Sequence, residues 1–308
     1  QAIEWFRQNI KNYPFQMSQL YIYNGISMQG HFDALQRCIS ISQREPCYIG
    51  FIESIREIHP GMGLRKMYEQ FKPEDIGRDA FVSLGLRGGY RLKTIEKPHR
   101  TTYSVKSNRY VNLLLHKEFT GVNQIWVSDL FYYRLGERHY YVVLITDVYS
   151  RRIVGYSLAD NMRAENNVKA LYMALNIRGI KNYNNNLIHH SDRGGQYVSD
   201  DYTNILSDHG VQISMCNYVL ENAHCERVNG TIKNQYLNHW SINNYKQLLQ
   251  KTELAIDSYN NRLHESIKMT PLQYESLLET IPTEKRNKMT IFTLDYKKEN
   301  PAQIEIEF

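Results

Sequence analysis

The pattern of apolar residues predicts an α/β protein with a mixed sheet, preceded by small all-helical segments. Three observations carry that prediction. Residues 124–133, 139–146 and 153–158 are strand-length apolar runs joined by short polar turns, the pattern of an antiparallel meander. Between residues 164 and 215, helical and strand-like patterns alternate. Ahead of residue 88, apolar residues recur at helical spacing between Gly and Pro breaks.

Residues 1–47 read as an N-terminal helical segment, in which Ser27 is placed to cap a helix over 28–37. Residues 48–87 read as a helix-turn-helix-like DNA-binding segment. Ile49, Ile52, Ile55 and Ile58 mark one face of a helix over 48–59, which Pro60 and Gly61 break. Leu64, Met67, Tyr68 and Phe71 mark a second helix, and residues 77–85 a third with a Gly stop. The last helix of such a set enters the major groove, which makes Arg78 a candidate DNA contact. Residues 88–118 read as a basic linker, extended at first and then a short helix at 110–116. From Arg87 to Arg109 seven Lys and Arg face one acid, Glu96. Such a stretch suits a phosphate backbone, with Arg87, Arg91 and Lys93 as candidate contacts; a solvated basic linker is the plainer alternative.

Residues 119–279 carry the sheet. After the three strands come a helix at 164–177, a strand at 187–190, a helix at 200–209 and a strand at 211–215. Helices over 222–237 and 245–260 follow. Residues 280–308 form a C-terminal tail with strand-like pieces at 290–296 and 303–308, open to pairing as a small ribbon or to being the remnant of an appended module.

At 308 residues and 42% apolar, the chain can form two or three domains with a real core. No apolar run approaches the ~20 residues that span a bilayer, and the first residues lack a signal-peptide pattern, so a cytoplasmic protein is expected. The four cysteines form no CxxC pair, and reduced thiols are expected.

Three carboxylates stand out. Asp129 sits mid-strand in an apolar run, where an unpaired charge is costly. Asp192 ends another apolar run and precedes Arg193-Gly194-Gly195, a turn with backbone room for substrate. Glu226 lies on a helix with Lys233 two turns on, which offers a metal ligand and then a cation for phosphate. Singly, each has an ordinary structural reading as a cap, an exposed acid or a salt-bridge partner. Jointly they suit phosphodiester chemistry, in which two divalent ions bind the attacking and leaving oxygens. Mg²⁺ takes few carboxylates beside water and substrate phosphate.

The runs Trp126-Val127-Ser128-Asp129, Asp147-Val148-Tyr149-Ser150-Arg151-Arg152-Ile153-Val154-Gly155, His190-Ser191-Asp192-Arg193-Gly194-Gly195-Gln196-Tyr197 and Asn222-Ala223 through Glu226 to Lys233-Asn234 resemble the integrase core of bacterial insertion-sequence transposases. The resemblance is to the IS-three type, whose second reading frame encodes this core, within the retroviral-integrase-like superfamily. Tyr259-Asn260-Asn261-Arg262-Leu263-His264 followed by Thr270-Pro271 resembles the segment that closes such a core. The likeness spans roughly residues 45–278.

The resemblance implies a ribonuclease H-like fold with a mixed five-stranded sheet, and a catalytic, metal-binding triad at Asp129, Asp192 and Glu226. It implies two Mg²⁺ (or Mn²⁺) ions with DNA bound, and Lys233 as a DNA contact, beside which Arg193 is a further candidate. The implied activity is cleavage and strand transfer at element ends. Implied partners are double-stranded DNA, both terminal inverted repeats and target, and further copies of the chain in a homo-oligomer. The upstream-frame product is a partner the resemblance leaves open. A stand-alone nuclease of the same fold, or an element-derived DNA-binding protein without catalysis, are the alternatives. Three departures stand against the family pattern. Thirty-three residues separate Asp192 from Glu226, two fewer than usual; Glu221 stands where an Asp is usual, and Leu263 where a Pro is usual.

Overall fold

A computed structural model describes residues 2–92, 110–216 and 222–291. The chain groups into two compact units, Gln1–Ile55 with Gly63–Leu92, and Arg56–Met62 with Lys93–Phe308. Lys93, most of the basic stretch, Glu221 and the strand-like piece at 303–308 lie outside the described residues.

The first unit is helical: α1 (Ala2–Asn9), α2 (Met17–Tyr23), most of α3 (Met28–Ile58), α4 (Leu64–Phe71) and α5 (Arg78–Arg87). Ser27 does cap α3, its Oγ accepting from the Gly30 N–H at 2.9 Å. The helices expected at 28–37 and 48–59 are one, because α3 runs through Pro46. A proline removes a single ladder bond, and the residues on either side keep theirs. The expected isoleucine face is also shorter than its spacing suggested. Ile52 and Ile55 are buried and Ile58 is exposed. Steps of three lag the helical repeat, so that Ile58 faces away from Ile49 after three of them. Ile52, Leu64, Met67, Phe81 and Leu84 make the core of this unit.

The second unit holds β1 (Glu118–Phe119), β2 (Ile125–Leu135), β3 (Arg138–Asp147), β4 (Ile153–Ala159), α6 (Ala164–Arg178), β5 (Leu187–Ser191), α7 (Asp200–Asp208), β6 (Val211–Met215), α8 (Ala223–Thr231), α9 (Tyr245–Asn260), α10 (Pro271–Thr280) and β7 (Met289–Thr290). Five strands form one sheet in the order β4-β3-β2-β5-β6. β2 pairs antiparallel with β3, and β3 with β4. β5 lies parallel to β2 on its other side, and β6 parallel to β5. A three-strand meander whose first strand then accepts two parallel strands is the ribonuclease H-like arrangement.

The unbroken apolar run of β3 is explained by burial on both faces. Val143 and Ile145 face α6 and α7 in a core with Trp126, Leu171, Tyr202 and Leu206. Val142 and Leu144 face the other way, against Val228 of α8 and Ile256 of α9.

Two expectations fail here. No helix forms at 110–116; the segment is extended and lies along β6, with Met215 N–H bonded to Val111 O at 3.3 Å and Leu113 N–H to Ser214 Oγ at 2.9 Å. Its leucines favour helix, but an edge strand offers its backbone ready partners. Met289 and Thr290 pair with Phe119 and Glu118, and the rest of the expected tail ribbon lies outside the described residues. The helix expected at 222–237 is also not uniform. α8 ends at Thr231 and passes into a π-helical turn, Ile232–Tyr236, and then a 3₁₀ turn, Leu237–His239.

Candidate active site

The parallel pairing of β2 and β5 creates the site. Ser128 and Ser191 are register partners, so Asp129 lies one residue further along β2 and Asp192 one residue past the end of β5. Residues in register on parallel strands project from the same face, ~4.8 Å apart along the pairing direction. A chain that pairs these strands therefore sets two carboxylates side by side.

Behind the acids, buried polar groups fix the strands. The hydroxyls of Ser128 and Tyr197 lie 2.9 Å apart, Tyr202 Oη lies 2.9 Å from His189 Nε2, and His190 Nδ1 lies 2.8 Å from Ser214 Oγ. Burial pulls the His189 imidazole down to about 3, with His190 adding to the effect, so His189 is neutral at pH 7.

α8 packs on the sheet through Val228, and the residue beside it, Asn229, reaches β2. Asn229 donates its Nδ2–H to Asp129 Oδ2 at 2.9 Å. Glu226, one turn earlier on α8, is exposed and contributes to the negative field on Asp129. Asn229 is the site residue that the sequence reading missed; an amide three residues past Glu226, on the same helix face, was the available signal.

The electrostatics are unbalanced. Burial, and then repulsion from Asp192, push the Asp129 carboxyl up to about 7, against the Leu130 N–H and the Asn229 amide. Burial also raises Asp192, opposed by the Gly194 N–H, which donates to its Oδ1 at 3.0 Å. Among the described residues no cationic side chain pairs with either acid. Two adjacent carboxylates that repel each other and lack a counter-charge are the donor set a hard divalent cation fits. Among the described residues, no three His, Cys, Asp or Glu side chains close around a single point. The site is open, as one completed by water and substrate phosphate would be.

Lys233 lies in the π-helical turn, its Nζ 4.3 Å from the Tyr132 ring centroid on β2, three residues past Asp129. Burial lowers its pKa. Arg193 is anchored by its Nε–H, which donates to Cys216 O at 2.9 Å. Arg78, Arg87 and Arg91 are exposed in the helical unit, where Arg78 pairs with Asp79 at 3.0 Å. The second unit thus gathers Asp129, Asp192, Glu226 and Asn229, with Lys233 further along the helix, and the arginines of the first unit belong to a separate body.

Two family models, each described as an integrase core domain, match residues 120–218 and 211–271. The chain is 36% identical over 191 residues to the uncharacterized 31 kDa protein of insertion element IS600 from Shigella sonnei, covering 61% of this chain and 69% of that one. It is 31% identical over 226 residues to the transposase for insertion sequence element IS629 from the same organism, covering 70% and 73%. Among solved structures, the HTLV-2 integrase catalytic core domain in complex with magnesium is similar at 19% identity and a TM-score of 0.39, covering 50% of this chain and 97% of that one.

Proposed function

The chain belongs to the insertion-sequence transposases of the IS-three type, enzymes of DNA transposition built on an integrase core domain, and we propose that Asp129, Asp192 and Glu226 form its catalytic metal site. The observation that carries this reading is the neighbouring pair Asp129 and Asp192, each one residue past the register partners Ser128 and Ser191, half-buried and without a cationic partner among the described residues.

Two Mg²⁺ or Mn²⁺ ions held there with DNA would neutralise charge on the attacking and leaving oxygens of an in-line displacement. The protein's own groups do the rest. Asp129 loses its proton when a cation replaces the counter-charge it lacks, and Asn229 holds its Oδ2 so that the carboxylate cannot rotate. Glu226, exposed at the rim, accepts the proton released by the nucleophile. In cleavage, water forms the new P–O bond as the bond to the 3′-oxygen breaks, and that oxygen takes a proton from solvent to leave as a hydroxyl. In strand transfer, that 3′-hydroxyl attacks a target phosphodiester, forming one P–O bond as another breaks. Lys233 and Arg193 neutralise flanking phosphates, and Arg78, Arg87, Arg91 and Lys93 contribute further contacts to the DNA backbone.

The substrates on this reading are the terminal inverted repeats and target DNA, engaged by a homo-oligomer in the cytoplasm at the nucleoid. Among the described residues no helix is long and apolar enough to cross a membrane. The test incubates the protein with terminal-repeat DNA and Mg²⁺ beside Asp192→Asn. Joined products that vanish in the variant are expected. Hydrolysis without joining would indicate a nuclease, and binding without cleavage in either protein would overturn catalysis.

A further inference from the structure

The helix that carries Glu226 is regular only to Thr231. Its next turn is π-helical, with the Leu237 N–H reaching back to Ile232 O, and Lys233 lies within it. π-turns cost hydrogen-bond quality and persist where something outside the helix holds them. Here the holding groups come from two distant places in the chain.

The first is residues 56–62, which group with the sheet unit although the sequence on both sides belongs to the helical one. The Gly61 N–H donates to Gln235 O at 2.8 Å, supplying that carbonyl with a partner from outside the helix. Gly61 is buried, and a Cβ there would sit 2.5 Å from both Gln235 Cα and Gln235 O, so the approach excludes any other residue. His59, also buried, places its Nδ1 3.1 Å from Tyr236 Oη. The second is Arg262, in the segment that closes the core. Its Nη1–H donates to Gln235 Oε1 at 2.8 Å, and its guanidinium lies 5.7 Å from the Tyr236 ring centroid. Arg262 is only 4% exposed, which places it beyond direct service to DNA. A buried guanidinium held by one glutamine amide and the rings of Tyr236 and Tyr259 is an expensive way to hold an ordinary helix end.

We propose that His59, Gly61 and Arg262 are positioning residues that clamp the π-helical turn at Gln235 and Tyr236 and thereby set where Lys233 presents its ammonium group to a DNA phosphate. Lys233 is two residues from the clamped amide, and the wider turn changes its direction relative to Glu226 from what an uninterrupted α-helix would give. Its ammonium nitrogen lies over the Tyr132 ring, so a relaxed turn carries it away from that ring. The inference rests on the reading of Lys233 as a phosphate contact.

The test measures affinity of the full-length protein for duplex terminal DNA across a salt series, for Lys233→Ala, Arg262→Met, Gln235→Met and the doubles with Lys233→Ala. Loss of one phosphate contact lowers the slope of log affinity against log salt by about 0.9. Lys233→Ala is expected to weaken binding severalfold with that change in slope. Arg262→Met and Gln235→Met are expected to reproduce both, and each double to bind no worse than Lys233→Ala alone. A purely structural role for Arg262 would lower the melting temperature and the active fraction without altering the slope. Gln235→Met leaves the backbone bond from Gly61 intact and serves if Arg262→Met fails to fold. Unchanged slopes in Arg262→Met and Gln235→Met, with Lys233→Ala behaving as expected, would overturn the positioning role alone. An unchanged Lys233→Ala would overturn the phosphate reading with it.

Discussion

Asp129 and Asp147 sit on adjacent strands of one sheet, the first half-buried and the second fully buried, and their surroundings are opposite. Asp147 is fully buried and receives the Asn123 N–H at 2.7 Å, the Tyr149 N–H at 3.0 Å and the Ser150 N–H at 3.1 Å. Arg178 lies 3.4 Å away and is itself paired with Glu275 at 2.6 Å, which also pairs with Arg152 at 2.7 Å. Burial still raises the Asp147 carboxyl, but every other close group except Glu275 opposes it. Asp129 has one amide, one backbone N–H and two acids for neighbours. A buried carboxylate wrapped in donors is part of the scaffold; one beside its own kind fits the proposed cation site.

That contrast can be broken in four ways. Asp129→Asn should lower Mg²⁺-dependent cleavage by at least about 10³-fold, as the loss of several kcal/mol of charge stabilisation requires, without lowering the melting temperature of the metal-free protein. Asp147→Ala should do the reverse. Stranding Arg178 and three N–H groups should cost about 3–5 kcal/mol, read by urea denaturation, while the folded fraction keeps its specific activity. If Asp147→Ala instead abolished catalysis in fully folded protein, the division between the two acids would be wrong. Asn229→Ala should reduce metal affinity or rate by about 10–100-fold, the usual cost of removing a ligand's hydrogen-bond partner. The smallest effect concerns pH. The Asp129 carboxyl is raised from 3.8 to about 7, so its protonated form favours the folded state. That contribution is complete below pH 3.8 and is lost as pH rises toward 7. The metal-free protein should therefore lose stability across this window, and Asp129→Asn should lose less; parallel melting curves would contradict the assigned surroundings of Asp129.

The sheet was legible because its signals are local. Three apolar runs with tight turns, and β5 and β6 bounded by polar loops, mark strands wherever they pair. The acids stood out because a charge inside an apolar run is conspicuous. What the residues could not disclose is pairing. Nothing local states that Ser128 meets Ser191, and that register is what sets Asp129 beside Asp192. Asn229 was hidden for the same reason, since its partner lies on another element. The residues of the π-helical turn, Ile232–Tyr236, suit a plain helix; the irregularity comes with Gly61 and Arg262, far off in sequence. Residues 110–116 were misread because their leucines have helical propensity and the edge of β6 overrode it. α10 passed unread although Thr270 and Pro271 announce it, the Thr270 side chain capping Gln273 N–H at 3.1 Å.

The central place of β2 also dictates an order of assembly during synthesis. Its antiparallel partner β3 follows at once, so the hairpin that holds Asp129 can close as soon as it leaves the ribosome. Its parallel partner β5 comes only after β4 and α6, and α8 later still, and such long-range pairings form slowly. A nascent chain therefore carries Asp129 without Asp192 or Glu226, and gains all three together only when the core is nearly complete. On the proposed reading, the catalytic site is therefore among the last parts of the core to be completed.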